Sequence, residues 1–145
     1  MTIDPALVTR KLLLIAADLQ ALEPVAAGGA AAYLASFRDQ AFVERYLERM
    51  IGRMIDVNYH LITGSGQPPP SDYYGSFLKL GDIGVLEPAF ARAIARAAGL
   101  RNRLVHEYEE LDPSKVFGAL GDALREIPQY LDQVNRHLAA GGDRR

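Results

Sequence analysis

The stretch VERYLERMIGRMIDVNYHLIT, residues 43–63, has the clearest periodicity in the chain. Its apolar side chains recur every three or four residues, which places them on one face of an α-helix. The core-facing stripe comprises Val43, Leu47, Met50, Met54, Val57 and Leu61. Ile51, Ile55 and Ile62 widen it into a second apolar flank, so the helix should pack against more than one neighbour. Asn58 falls inside the apolar arc and should be hydrogen-bonded there.

The residues around this stretch also favour helix, because Ala and Leu are abundant and β-branched residues form no alternating run. Asp-Pro pairs at 4–5 and 112–113 are typical helix starts, whereas Pro24 and GSGQPPPS at 64–71 should interrupt helices. The expected helices span about 5–22, 33–63, 72–80, 86–111 and 113–138. We therefore predict an all-α antiparallel bundle of four long helices and one short one. Residues 1–145 should form a single domain, with residues 1–4 and 140–145 frayed.

The composition excludes several kinds of chemistry. The 145 residues contain no cysteine, which rules out disulfides, thiol catalysis and cysteine-based zinc sites. The three histidines lack the spacing of metal ligands, so no metal or cofactor is expected. The longest apolar run, LLLIAA at 12–17, is too short to span a bilayer. These features favour a cytoplasmic protein without a membrane partner. The net charge of −2 offers no general attraction to nucleic acid, so any binding of nucleic acid would depend on a local site.

The segment RNRLVHEY, residues 101–108, carries the most informative polar pattern. On a helical wheel, Arg101 falls at the centre of an apolar stripe, while His106 lies about 140° away, one turn after Asn102. An unpaired buried charge costs several kcal/mol, so this arginine needs a partner. Two interpretations remain open from the wheel. Arg101 either forms an ion pair with a carboxylate on another helix, or it lies in a groove where the motifs of two identical subunits meet.

The spacing Arg101, four residues, His106, one residue, Tyr108 resembles the RX4HXY motif of the HEPN superfamily, specifically its HepT branch. The resemblance extends to IDVNYHLI at 55–62, to LGDIGVL at 80–86 and to the flanks of the motif. It covers roughly residues 40–130, and the first 35 residues match less clearly.

The resemblance implies a homodimeric, metal-independent endoribonuclease that acts as a toxin and is paired with a minimal nucleotidyltransferase antitoxin, MntA. Arg101 and His106 would be the catalytic pair, and Asn102 the accompanying polar residue. Tyr108 would be the tyrosine to which the antitoxin transfers AMP. The residue types suit the reaction, because imidazole exchanges protons near neutrality and guanidinium stabilises phosphate charge.

An alternative function belongs to another class. The chain could be a non-catalytic helical module that binds a nucleotidyltransferase partner or a nucleotide, which its acidic net charge slightly favours. Arg101 would then bind an anion or act structurally, and its replacement would weaken partner binding rather than cleavage. An enzyme acting on a small phosphorylated ligand has no independent support in the sequence.

Overall fold

The computed structural model describes residues 2–107 and 110–143, which form seven α-helices and no β-strand. The helices are α1 (Pro5–Ala27), α2 (Ala30–Leu34), α3 (Phe37–Gly64), α4 (Tyr73–Asp82), α5 (Pro88–Ile94), α6 (Arg96–His106) and α7 (Pro113–Asp143). The predicted all-α class is confirmed. The number of helices is higher than predicted, because two of the expected long helices are divided.

Helix α1 begins where the sequence predicts and ends later. The Asp4 carboxylate accepts a hydrogen bond from the amide of Leu7 at 3.1 Å, as an N-cap does. The predicted stop before Pro24 is wrong, since the helix continues to Ala27. A proline this close to the helix end removes only one backbone hydrogen bond, and its carbonyl still accepts from Gly28 at 3.1 Å.

The second predicted helix starts later than its expected first residue, Tyr33, which lies instead in the short helix α2. Gly29, with φ of +89°, separates α1 from α2 in a conformation that glycine adopts without strain. A new N-cap then starts α3, because the Ser36 hydroxyl accepts from the amide of Asp39 at 3.1 Å. The small residues between α1 and α3 therefore form a short additional helix, α2.

The helix expected at 86–111 is interrupted at Ala95 and ends at His106. At the interruption the amide of Ala98 donates to the Ala95 carbonyl at 3.1 Å, a tighter turn than an α-helix makes. Helix α5 packs on α4, whereas α6 packs mainly on α3. No proline or glycine marks the break in the sequence. It arises because the two segments pack against different neighbours.

The hydrophobic core draws residues from all seven helices. Every apolar residue predicted for the α3 stripe and its second flank is buried, as are the aromatic rings of Tyr33, Phe77 and Tyr130. Helix α7 is longer than predicted and reaches Asp143. Among the helices described, none is long and apolar enough to cross a membrane.

A chain of hydrogen bonds, here called the core polar chain, joins α7, α3 and α4 inside this core. The Tyr130 hydroxyl donates to Asn58 Oδ1 at 2.6 Å and lies 3.1 Å from the Met54 carbonyl. Asn58 Nδ2 donates to Ser76 Oγ at 3.0 Å, and the Ser76 hydroxyl donates to the Tyr73 carbonyl at 2.7 Å. The expectation that the buried Asn58 is hydrogen-bonded is confirmed.

Candidate functional site

Helix α6 presents the motif residues to two different surroundings. Arg101 is half-buried between α6, α3 and α4, whereas Asn102 and His106 are exposed. Residues five positions apart point about 140° from each other on a helix. The guanidinium and the imidazole of one chain therefore face different sides of α6. Tyr108, the remaining motif residue, lies outside the described residues.

Arg101 forms one wall of a pocket of about 200 Å³, here called the arginine pocket. The other lining residues are Gly52, Ile55, Asp56, Tyr59 and Tyr73. The guanidinium carbon lies 5.2 Å from the centre of the Tyr73 ring, within the range of a cation–π contact. A side-chain carbon added at Gly52 would lie 3.8 Å from Arg101 Nε, so α3 approaches this arginine closely.

The charge of Arg101 has no carboxylate partner within the described ranges of the chain. Its Nε is buried and makes no hydrogen bond there. Asp56 lines the same pocket, but its Oδ2 lies 3.4 Å from Lys11 Nζ on α1. The structural ion pair considered for Arg101 is thus not found among these residues. A guanidinium in this state can bind an anion through charge-assisted hydrogen bonds.

In contrast to Arg101, two arginines on α3 form hydrogen-bonded ion pairs with a carboxylate. The Asp18 side chain, 7% exposed, accepts from Arg49 at 2.5 and 2.9 Å and from Arg53 at 2.8 Å. The hydrogen bonds to Asp18 raise the pKa of Arg49 above its ordinary value. Sequence reasoning missed this cluster. The available signal was the position of Asp18, three residues after the buried Ile15 and so on the apolar face of α1.

A larger groove of about 440 Å³ separates α6 from α7. Apolar side chains such as Met54, Leu100 and Ile127 line it, and Arg96, bound to Glu126 at 2.8 Å, lies at its edge. None of the predicted catalytic residues contributes to its lining. The groove and the arginine pocket therefore lie on different sides of α6.

Sequence reasoning also missed the aromatic part of the arginine pocket. Tyr59 and Tyr73 meet edge to face, with ring centres 6.2 Å apart and planes 84° apart. Burial, followed by the neighbouring Tyr73 and Asp72, raises the pKa of the Tyr59 hydroxyl. Neither tyrosine stands out by spacing, because their meeting depends on how α4 folds back onto α3. In the described part of the chain, no group of three or more His, Asp or Glu side chains could hold a metal ion.

The family of the protein follows from its sequence. Residues 15–134 match the family described as Ribonuclease HepT-like. The protein therefore belongs to the HepT-like family, and the resemblance carried by the RX4HXY motif is confirmed.

Among curated relatives, the chain is 36% identical over 136 residues to the tRNA nuclease HepT of Aphanizomenon flos-aquae. The match covers 94% of this chain and 92% of the relative. The family description and this relative are both those of RNA-cleaving enzymes.

Solved structures share the fold at lower sequence identity. YutE from Bacillus subtilis, a cytosolic protein of unknown function, matches with a TM-score of 0.82 and 16% identity, over 96% of this chain and 93% of its own. A tri-AMPylated HEPN toxin from Shewanella oneidensis, in complex with an MNT antitoxin, matches with a TM-score of 0.80 and 22% identity. That match covers 89% of this chain and 96% of the toxin.

Proposed function

We propose that residues 1–145 form a single-domain endoribonuclease toxin that works as a cytoplasmic homodimer without a metal. A nucleotidyltransferase antitoxin neutralises it by transferring AMP to Tyr108. The curated relative supports RNA as the substrate, since it is a tRNA nuclease. The structural relative bound to an MNT antitoxin and carrying AMP groups supports the mode of neutralisation.

The observation that carries the proposal is the state of Arg101. Its guanidinium is half-buried, borders an open pocket and has no carboxylate partner in the described part of the chain. An arginine used only for stability would have its hydrogen bonds filled, as Arg49 has from Asp18. Arg101 is therefore available for a phosphate group.

The proposed reaction uses the 2′-hydroxyl of RNA as the nucleophile. His106 of one subunit accepts the hydroxyl proton as the oxygen attacks the adjacent phosphorus. Arg101 stabilises the negative charge that builds on the phosphate oxygens, and Asn102, one turn before His106, orients the phosphate or the imidazole. The bond from phosphorus to the 5′-oxygen breaks, and that oxygen takes the proton back from the protonated His106. The products are a 2′,3′-cyclic phosphate and a free 5′-hydroxyl.

The directions of the side chains support a site shared between two subunits. Within one chain, Arg101 points toward α3 and α4, while His106 is exposed on another side of α6. One phosphate could contact a guanidinium and an imidazole if Arg101 comes from one subunit and His106 from the other, across a two-fold axis. Sedimentation equilibrium should give a dimer at assay concentrations. A monomer that remained fully active would contradict the shared site.

The decisive experiment compares RNA cleavage by the wild type and three variants in EDTA. Arg101→Ala and His106→Ala should each lower the rate at least about 100-fold, as removal of a transition-state charge partner or a general base does. Arg103→Ala is the matched control, because Arg103 is an exposed arginine of the same helix that does not line the arginine pocket. It should keep activity near that of the wild type.

The same experiment separates the proposal from the non-catalytic alternative. A binding module would leave RNA intact in every sample, and Arg101→Ala would instead weaken binding to the nucleotidyltransferase. Retained cleavage in both Arg101→Ala and His106→Ala would refute the assigned roles. For Tyr108, incubation with the antitoxin and ATP should label the wild type but not Tyr108→Phe. Undiminished labelling of that variant would refute the modification site.

A further inference from the structure

The arginine pocket holds more than a phosphate-binding group. Besides Arg101, two aromatic residues and one acidic residue line it, namely Tyr73, Tyr59 and Asp56. Its volume of about 200 Å³ is below the roughly 300–1,000 Å³ typical of sites for drug-sized ligands, and suits one planar ring system. A site for phosphate alone would need neither an aromatic wall nor a carboxylate.

Tyr73 supplies a fixed and accessible stacking surface. The residue is 40% exposed and lines the open pocket. The ring packs edge to face on Tyr59, and its backbone carbonyl accepts the hydrogen bond of Ser76 at 2.7 Å. Bases stack on such rings whatever their identity, and aromatic stacking is a general means of holding single-stranded RNA.

Asp56 supplies a hydrogen-bond acceptor at the pocket. Its Oδ2 makes a long contact of 3.4 Å with Lys11, and within the described residues Oδ1 makes no hydrogen bond. A carboxylate repels phosphate but accepts hydrogen bonds from the N–H groups of a base edge. Guanine offers two such donors side by side, at N1 and at its exocyclic amino group, whereas uracil offers one.

We propose that the arginine pocket binds a nucleobase of the RNA substrate, with guanine preferred over uracil. Tyr73 stacks on the base, Asp56 accepts from its N–H edge, and Arg101 holds the phosphate attached to the same nucleotide. The inference rests on the proposed ribonuclease function and makes the arginine pocket the source of its base preference.

Binding of mononucleotides tests the pocket without requiring cleavage. Guanosine 3′-monophosphate, uridine 3′-monophosphate and inorganic phosphate are titrated into wild-type protein, with binding followed by NMR chemical shifts. The guanosine nucleotide should bind about 10-fold more tightly than either of the others, since a stacked and hydrogen-bonded base adds to the phosphate contact. Equal affinity for the guanosine nucleotide and inorganic phosphate would overturn the proposal.

Two adjacent tyrosines provide a matched pair of variants. Tyr73→Leu should weaken binding of guanosine 3′-monophosphate roughly 10-fold, and Tyr73→Phe should preserve it, because stacking needs the ring and not the hydroxyl. Tyr74 is similarly exposed, at 47%, but does not line the pocket, so Tyr74→Leu should bind as the wild type does. Equal weakening by Tyr73→Leu and Tyr74→Leu would contradict the assignment.

The role of the Asp56 carboxylate can be tested with a separate matched control. Asp56→Asn should reduce the preference for guanosine over uridine nucleotide about 10-fold, because an amide offers both a donor and an acceptor. Lys11→Ala removes the ion pair of Asp56 and should keep the preference. An unchanged preference in Asp56→Asn would remove this residue from the proposal.

RNA cleavage by the same variants distinguishes failure of the pocket from failure of the ribonuclease function. With an active wild type, Tyr73→Leu should raise KM about 10-fold with a smaller change in kcat, since the ring binds the base and does not touch the breaking bond. Cleavage that is intact in the wild type and unaltered in Tyr73→Leu would refute the pocket alone. An inactive wild type would refute the ribonuclease function, while the nucleotide titrations would still decide the pocket.

Discussion

Two groups of arginines lie at helix α3, one on the helix itself and one reaching it from α6, and they differ in what surrounds their charge. Arg49 and Arg53 share the buried carboxylate of Asp18, with every contact between 2.5 and 2.9 Å. Arg101 reaches α3 from α6, where the described residues offer it a tyrosine ring and no carboxylate. The first group ties α1 to α3. Under the proposed function the second leaves its charge for a phosphate, so the partner and not the residue type would separate structural from functional arginines.

The largest expected effect comes from removing the carboxylate of the first group. Asp18→Ala leaves two arginines side by side without a counter-charge, and breaking a buried ion pair in this way typically costs about 3–5 kcal/mol. Because Arg49 and Arg53 are partly exposed, at 34% and 23%, we expect a loss of roughly 2–4 kcal/mol in the free energy of unfolding, measured by urea denaturation. The control Asp132→Ala removes an exposed ion pair with Arg136 and should change stability by less than about 1 kcal/mol. Similar losses in both variants would contradict the structural role of Asp18.

The core polar chain extends the comparison to uncharged groups. Tyr130→Phe leaves Asn58 Oδ1 without its buried donor, so the free energy of unfolding should fall by about 1–3 kcal/mol. Tyr33 is the matched control, because its buried hydroxyl has no hydrogen-bond partner in the part of the chain described. At pH 8, Tyr33→Phe should be as stable as the wild type or more so. A larger loss from Tyr33→Phe than from Tyr130→Phe would reverse the comparison.

The same Tyr33 hydroxyl should make the free energy of unfolding fall at alkaline pH. Burial, then the nearby Glu44 and Asp39, raise its pKa from 10.0 to about 12. The neutral phenol therefore stabilises the fold fully below pH 10, and this stability is lost as the pH rises from 10 to 12. At pH 11 the loss should be on the order of 1 kcal/mol.

The Tyr33→Phe side chain cannot ionise, so this variant should gain on the order of 1 kcal/mol in unfolding free energy over the wild type between pH 8 and pH 11. The measurement is a pair of urea denaturation curves at each pH, which cancels the effects of the other tyrosines. A stability difference that stays constant over this range would show that the hydroxyl is not buried in the way described.

The smallest expected effect on stability concerns the second arginine group. Arg101→Met removes a charge that has no carboxylate partner among the described residues and relieves its buried Nε, but it loses the contact with Tyr73. These terms oppose each other at about 1 kcal/mol each, so the unfolding free energy should stay within about 1 kcal/mol of the wild type. Cleavage of RNA should nevertheless be lost. A loss of stability as large as that of Asp18→Ala would make Arg101 a structural residue.

The sequence predicted the parts of the fold that depend on local spacing. The apolar stripe of α3 follows from helical periodicity, and the cap at Asp4 follows from a single side chain. The break at Ala95 does not, because it arises from the different packing partners of α5 and α6. Periodicity describes one helix at a time, whereas this break depends on how α5 packs on α4 and how α6 packs on α3.

For the candidate site, too, the sequence predicts residues that lie on one helix and misses those that other helices contribute. The motif predicts Arg101, Asn102, His106 and Tyr108 from one segment, whereas Tyr73 and Asp56 come from two other helices and join the arginine pocket only through tertiary packing. Asp18 illustrates the same limit. Its place on the apolar face of α1 marks it as unusual, but only the approach of α3 reveals which arginines it binds.

The core polar chain makes the shape of the arginine pocket sensitive to distant substitutions. Sliding α7 by one turn would leave Asn58 Oδ1 without its donor in a hydrocarbon environment, so α7 is held to a single alignment against α3. Ser76 in turn holds the first turn of α4, from which the Tyr73 ring projects. Substitutions in α7 that do not line the arginine pocket should therefore shift its Tyr73 wall, and under the proposed function they would offer related chains a way to change RNA preference without altering the RX4HXY motif.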